Sequence, residues 1–155
     1  MNLEEKVLKV SKELIEKIGV GGEISVRAEE DSFYVSVIGD DVSVLIGYRG
    51  EVLDSIQHVL NLMLRQEEGF VRLILDVDNY REGRNKALEE LAKTTADKVR
   101  FSGKPIELAP MSSYERRIIH MVISEQEGVE SLSTDTGDMR RIVVSPVGDN
   151  KKEDK

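Results

Sequence analysis

Between residues 3 and 18, Leu3, Val7, Val10, Leu14 and Ile18 recur at intervals of three or four, with Leu8 and Ile15 beside them and charges on the opposite side. This is the period of an amphipathic helix, and Gly19, Gly21 and Gly22 end it. From Ile24 the period changes to two. Ile24, Val26 and Ala28 alternate with Glu23, Ser25, Arg27 and Glu29, and after a turn at Asp31 and Ser32, Phe33, Val35 and Val37 alternate with Tyr34, Ser36 and Ile38. Two strands joined as a hairpin fit this pattern. Gly39, Asp40 and Asp41 break the chain, and a short apolar segment, Val42 to Ile46, runs into Gly47-Tyr48-Arg49-Gly50. A long helix then carries Val52, Leu53, Ile56, Val59, Leu60, Met63 and Leu64, stopping at Gly69, and residues 71–77 (VRLILDV) read as a third, buried strand.

A second unit starts near Asp78, whose polar neighbourhood can cap a helix from about 80 to 101. Its apolar stripe is Ala87, Leu88, Leu91, Ala92, Ala96 and Val99, and Gly103 and Pro105 close it. Ile106 to Leu108 makes a short strand, Pro110 to Ser113 a turn with serine caps, and a helix follows from about 114 to 124. Val129 to Thr134 and Arg140 to Ser145 read as two strands around a turn at Thr136-Gly137-Asp138. The charged tail from Asp149 to Lys155 has too little apolar surface to order itself. The fold class is therefore α+β, in two small domains over residues 1–78 and 79–147, with a disordered tail at 148–155.

Composition narrows the chemistry. Without cysteine in its 155 residues, the chain has no disulfides, thiolate metal sites or thiol nucleophiles, which fits a reducing, cytoplasmic setting. The first ten residues carry Glu4, Glu5, Lys6 and Lys9 and so lack the apolar block of a signal peptide. No apolar run approaches the ~18 residues of a membrane span. A net charge of -8 argues against a phosphate partner at first sight. The distribution reverses this locally: residues 1–70 hold 7 basic and 14 acidic side chains, but residues 79–120 hold 9 basic and 6 acidic. A basic middle inside an acidic chain can form a phosphate site, or be ordinary variation on a charged surface.

Two constellations stand out. Gly47 and Gly50 bracket two residues between helices; glycine there tolerates positive φ and lets a ligand backbone approach. The free N–H groups at the start of the following helix favour an anion, and Arg49 adds a forked donor. A phosphate clamp and a simple helix-turn-helix linker both fit. Arg116 and His120, four apart, share a helix face, with Tyr114 and Arg117 nearby. They could grip one phosphate from two sides, or form a solvated face. Asp76 and Asp78 have a spacing that can hold a cation, but a strand-end residue and a helix cap explain them better. His58 has no ligand-spaced partner, and with two His and no Cys a zinc site is disfavoured. No phosphate-loop, dinucleotide or nucleophile-elbow motif is present, and His120 with Glu115 is the one acid–base pair on which a nuclease could draw. These readings point away from an enzyme and call for no cofactor or metal.

The element order helix, strand, strand, short helix, glycine loop, helix, strand, with Ile46-Gly47-Tyr48-Arg49-Gly50 and Val52-Leu53-Asp54-Ser55-Ile56-Gln57, resembles a KH domain of the second topological type (αββααβ). That resemblance implies a loop holding the backbone of about four single-stranded nucleotides, beside an apolar groove drawing on Val44, Leu45 and the edge strand. The families nearest this sequence usually have Lys where Tyr48 stands; Tyr48 either stacks on a base or is merely a loop aromatic. Gly103-Lys104-Pro105-Ile106, Leu108, Pro110-Met111 and Tyr114-Glu115-Arg116-Arg117-Ile118-Ile119-His120 resemble the R-3-H domain, helices packed on a small, mainly antiparallel sheet, associated with single-stranded nucleic acid. The preceding helix, with Arg81, Arg84 and Lys86, is similar to a linker helix in one group of such proteins. The two domains in this order resemble the Jag (KhpB, SpoIIIJ-associated) family over roughly residues 2–146. Many of its members also carry a separate N-terminal domain and linker that this sequence does not contain.

The resemblance implies a cytoplasmic binder of single-stranded RNA, with single-stranded DNA as a further ligand class and a second small KH protein as partner, and no insertion into a membrane. Its role would be post-transcriptional regulation tied to cell envelope, cell shape, division or sporulation, a chaperone-like regulator. The alternative is a protein-interaction adaptor associated with membrane-protein insertion. The expected nucleic-acid-binding residues are Gly47, Tyr48, Arg49, Gly50, Arg81, Arg84, Tyr114, Arg116, Arg117 and His120.

Overall fold

Asn2 opens the first helix, α1 (Leu3–Ile18), with a reciprocal cap. Its Oδ1 accepts from Glu5 N at 2.8 Å, and Glu5 Oε2 accepts from Asn2 N at 2.9 Å, so two of the N–H groups at the helix start are satisfied. The computed structural model describes residues 1–68, 71–134 and 140–148. The expected stop at Gly69, the turn at Thr136-Gly137-Asp138 and the tail from Asp149 lie outside the described residues.

Strands β1 (Glu23–Ala28) and β2 (Phe33–Ile38) pair antiparallel, with Ala28 opposite Phe33 at the hairpin end. β3 (Leu73–Val77) lies along the other side of β2 and runs parallel to it, giving the order β1-β2-β3. A parallel pair needs a long crossover. It is supplied by two 3₁₀ turns, Val42–Leu45 and Tyr48–Gly50, and by α2 (Glu51–Glu68). Val7 and Ile15 of α1, Val35 and Val37 of β2, Leu53, Leu60 and Leu64 of α2 and Leu75 of β3 are fully buried together. Each large aliphatic side chain so buried contributes about 1.5–3 kcal/mol. The stripe expected on α2 divides: Leu53, Ile56, Leu60 and Leu64 are buried, whereas Val52, Val59 and Met63 stay exposed, as does Leu62.

β3 ends on a buried carboxylate. Asp76 Oδ2 accepts from Tyr34 Oη at 2.7 Å, and its Oδ1 accepts from Val77 N at 2.9 Å and Arg81 N at 3.3 Å. Burial, then the bond and charge of Asp76, push the Tyr34 phenol up to about 12. Asp76 thus caps α3 (Tyr80–Ser102) from the preceding strand, across Asp78 and Asn79, which both adopt left-handed backbone (φ 50° and 55°).

The chain divides into two compact units, Met1–Gly83 and Arg84–Lys155, within α3. In the second unit β4 (Ile106–Glu107), β6 (Arg141–Pro146) and β5 (Val129–Thr134) form an antiparallel sheet in the order β4-β6-β5. α4 (Ser113–Ser124) starts at Ser112, whose Oγ accepts from Glu115 N at 3.3 Å. Leu88, Ala92, Ala96 and Val99 of α3, Ile119 and Ile123 of α4, and Ile142 and Val144 of β6 form this unit's aliphatic core. Among the described residues, no helix is long and apolar enough to cross a membrane.

Candidate functional site

The glycine loop of the first unit is built on left-handed backbone. Gly47 has φ 69°, Arg49 53° and Gly50 78°. A methyl group at Gly47 would lie 2.3 Å from Val52 Cγ2, and one at Gly50 would lie 2.9 Å from Tyr80 Cε1. Both glycines are therefore demanded twice, by conformation and by close packing. Tyr48 is 69% exposed, and the Arg49 guanidinium lies over its ring, 5.0 Å from the centroid. Tyr48 thus offers an aromatic surface to which a cation is already stacked.

One expectation fails here. The first N–H groups of α2 are not available to an anion: Glu51 N donates to Tyr48 O, and Val52 N and Leu53 N both donate to Ile46 O, at 3.1 and 3.2 Å. The 3₁₀ turn folds the loop back onto the helix end and uses those donors internally. What the loop itself presents is the half-buried Arg49 guanidinium stacked on Tyr48 and a backbone that can be approached closely. The expected groove residues also separate. Val44 is 60% exposed beside the loop, but Leu45 is fully buried in the core, because a 3₁₀ turn points successive residues to different sides.

Arg81, expected at nucleic acid, bonds to three partners within the first unit. Its Nε donates to Leu75 O at 2.9 Å, and its Nη2 donates to Gln57 Oε1 at 2.9 Å and Asp54 Oδ1 at 3.2 Å. Gln57 Oε1 also accepts from Leu75 N at 2.9 Å. Arg81 therefore ties β3 to the helix that follows the glycine loop.

In the second unit, Arg84 is likewise turned to an internal partner. Its Nε and Nη2 donate to the two carboxylate oxygens of the buried Glu115 at 2.8 and 3.2 Å. Both oxygens of Glu115 are thus engaged, so the acid–base pair with His120 has no carboxylate to offer.

Arg116 and His120 do come together, around hydroxyls of β5. Arg116 Nη1 donates to Ser133 Oγ at 3.3 Å. His120 Nδ1 lies 2.6 Å from Ser131 Oγ, and its Nε2 lies 2.9 Å from Ser133 Oγ. The arrangement suits a neutral ring: Ser133 accepts from Arg116 and gives its own proton to Nε2, leaving Nδ1–H to donate to Ser131. Burial, then the Arg116 charge, hold the His120 pKa below its ordinary 6.5. Arg116 Nε is buried and finds no acceptor among the described residues. Arg117 and Tyr114 are exposed on the same helix, and Tyr114 Oη donates to Asn85 Oδ1 at 3.4 Å. Ser131 and Ser133 were missed in the sequence, where nothing but their alternation along β5 marks them.

Comparison with known proteins matches a family to each of the two stretches. The family model for the KH domain of KhpA and KhpB covers residues 4–77, and that for the R-3-H domain covers residues 86–146. The chain is 33% identical to RNA-binding protein KhpB of Clostridium symbiosum over 97% of its own length and 69% of that protein. The chain belongs to the KhpB family. It is 30% identical to RNA-binding protein KhpB of Bacillus subtilis (strain 168), covering 85% of this chain and 65% of that one. With KhpB of Streptococcus pneumoniae serotype 2 it shares 29% identity, over 84% of this chain but 40% of the other. The chain therefore spans about two thirds of the first two relatives and less than half of the third. The glycine loop lies in the part matched to the KhpA/KhpB KH domain, and Arg116 and His120 in the part matched to the R-3-H domain.

Proposed function

We propose that this protein binds single-stranded RNA through two separate sites, without catalysis. The observation that carries the reading is the glycine loop: two glycines held at positive φ, with Arg49 and an exposed Tyr48 between them and the exposed Val44 beside them. Such a loop admits a sugar-phosphate backbone, and unstacked bases can then reach the neighbouring apolar surface. Arg116 and His120 add a second phosphate contact, and Tyr114 and Arg117 flank it. The relatives named as RNA-binding proteins support the same class of ligand. A cytoplasmic location and a role in post-transcriptional regulation follow from this reading, with a second small KH protein as a partner.

The test is fluorescence anisotropy with a labelled, unstructured RNA oligomer, the same strand annealed to its complement, and the corresponding single-stranded DNA. Tighter binding of single-stranded RNA than of duplex is expected. Equal affinity for the two RNA forms contradicts the reading.

A second reading, a protein-interaction adaptor, draws on α2, where Val52, Val59, Leu62 and Met63 are all at least 37% exposed. Absence of RNA binding, together with loss of self- or partner association on changing Val59 and Met63 to Ser, would favour it.

A further inference from the structure

We propose that Tyr80 is a positioning residue for the glycine loop: its ring, held at the start of α3, forms the wall against which the backbone of the loop is set. This rests on the reading of that loop as the RNA-backbone site and names a determinant outside the loop and outside the helices that flank it.

Tyr80 stands thirty residues after Gly50 in the sequence, yet a methyl group at Gly50 would lie 2.9 Å from its Cε1 and 3.7 Å from its Cδ1 and Cζ. Gly50 is buried, and the half-buried ring packs on the core of the first unit. Gly50 is the last residue of the loop, at φ 78°, so the ring limits how far the loop can relax away from that conformation. A left-handed backbone persists only where its surroundings enforce it, and Arg49, a non-glycine at φ 53°, shows the loop is so enforced.

The helix start that carries the ring is itself held in place. Asp76 Oδ1 accepts from Arg81 N and so sets the first turn of α3. The Arg81 side chain binds Leu75 O on β3, and Gln57 and Asp54 on α2. The residue next to Tyr80 is therefore clamped to the same helix that begins at the end of the loop. The sequence D-V-D-N-Y-R, from Asp76 to Arg81, reads as a cap and a cationic surface, but in the fold it is the support of the loop. A binding site held by packed neighbours keeps its geometry better than a loop left to itself.

The full chain is compared as parent, Tyr80→Phe, Tyr80→Leu, Tyr80→Ala and the loop variant Tyr48→Asp/Arg49→Asp. Two readouts are taken: affinity for the labelled single-stranded RNA oligomer, and the three-bond HN–Hα couplings of Tyr48, Arg49 and Gly50 without RNA, which report φ and are insensitive to loss of the ring current. Tyr80→Phe keeps the ring and is expected to match the parent in both. Tyr80→Ala and Tyr80→Leu are expected to change the loop couplings, and to bind RNA about tenfold more weakly. Tyr80→Leu keeps apolar bulk, so it reports on the flat ring should Tyr80→Ala fail to fold. Unchanged couplings and parent-like affinity in Tyr80→Leu overturn the proposal, while loss of binding in the loop variant would leave the RNA reading standing. Equal losses in Tyr80→Phe and Tyr80→Leu would place the effect on the hydroxyl and overturn it as well. If the parent binds no RNA, the functional reading fails, and the couplings alone still decide whether Tyr80 sets the loop.

Discussion

Arg116 and His120, one turn apart on α4, meet at a single hydroxyl: Ser133 Oγ lies 3.3 Å from Arg116 Nη1 and 2.9 Å from His120 Nε2. Protonating the ring would make two cations donate to one oxygen in a partly desolvated place, so burial and Arg116 lower the His120 pKa from 6.5. In the unfolded chain the ring returns to its ordinary value and binds its proton first as pH falls. The stability this neutral ring carries is therefore complete above pH 6.5 and is lost as pH falls through the lower folded-state value. Urea midpoints measured from neutral to mildly acid pH should fall more steeply in the parent than in His120→Gln. A bound phosphate acts in the opposite direction, because its charge offsets both cations. RNA affinity is expected to rise with falling pH and to level off only below 6.5, at the free ring's lowered pKa, and His120→Ala should abolish the rise. Identical profiles in mutant and parent would place the titrating group elsewhere.

If Arg116 holds a phosphate, Arg116→Ala should weaken binding of all RNA sequences alike, since backbone contacts carry no base information. On a single strand each lost contact flattens the logarithmic salt dependence by about 0.7. Affinities across a salt series, for two oligomers of different sequence, check both points. A parent-like slope would show that Arg116 serves only to hold Ser133.

The elements were legible in the sequence because their periods are local. The three- and four-residue spacing of Val7, Val10 and Leu14 and the alternation of Val35 and Val37 are written within single segments. What was not legible depends on partners far along the chain. Arg81 and Arg84 read as a cationic surface, since Gln57 lies 24 residues from Arg81 and Glu115 31 from Arg84. Ser131 and Ser133 had no mark of their own, since they matter only once β5 lies beside α4. The occupied N–H groups of α2 depend on Ile46 O, and so on a turn geometry that G-x-x-G spacing does not specify. Val44 and Leu45 looked alike as apolar neighbours, and only the 3₁₀ turn sends one to the surface and the other to the core.

Within the glycine loop, folding and binding should separate by residue. At Gly47, an added methyl meets Val52 Cγ2 at 2.3 Å on a backbone of φ 69°, so Gly47→Ala is expected to cost roughly 1–3 kcal/mol of stability. Tyr48 is exposed, and Arg49 is half-buried beside its ring. Changing both to Asp removes a stacked cation worth about 0.5–1 kcal/mol at an exposed site, and Asp tolerates the left-handed backbone of position 49. That double change should leave the melting temperature close to the parent's while its two carboxylates repel phosphate and abolish RNA binding. A large drop in melting temperature for Tyr48→Asp/Arg49→Asp would make those two residues structural.

The Arg84 guanidinium covers both oxygens of Glu115, at 2.8 and 3.2 Å. Glu115 is only 6% exposed and sits in the first turn of α4. Removing the cation strands a carboxylate that has little access to water, and breaking a buried pair in this way costs about 3 kcal/mol or more. Arg84→Ala should therefore lower the urea midpoint substantially. Adding Glu115→Gln should restore part of the loss, because a neutral amide is cheaper to bury than an unpaired charge. If Arg84 contacted RNA directly, the pattern would differ: Arg84→Ala would keep parent stability and flatten the salt dependence of binding, and Glu115→Gln would rescue nothing. Denaturation and salt-series binding on the same three proteins distinguish the two outcomes, and the bidentate geometry predicts the first.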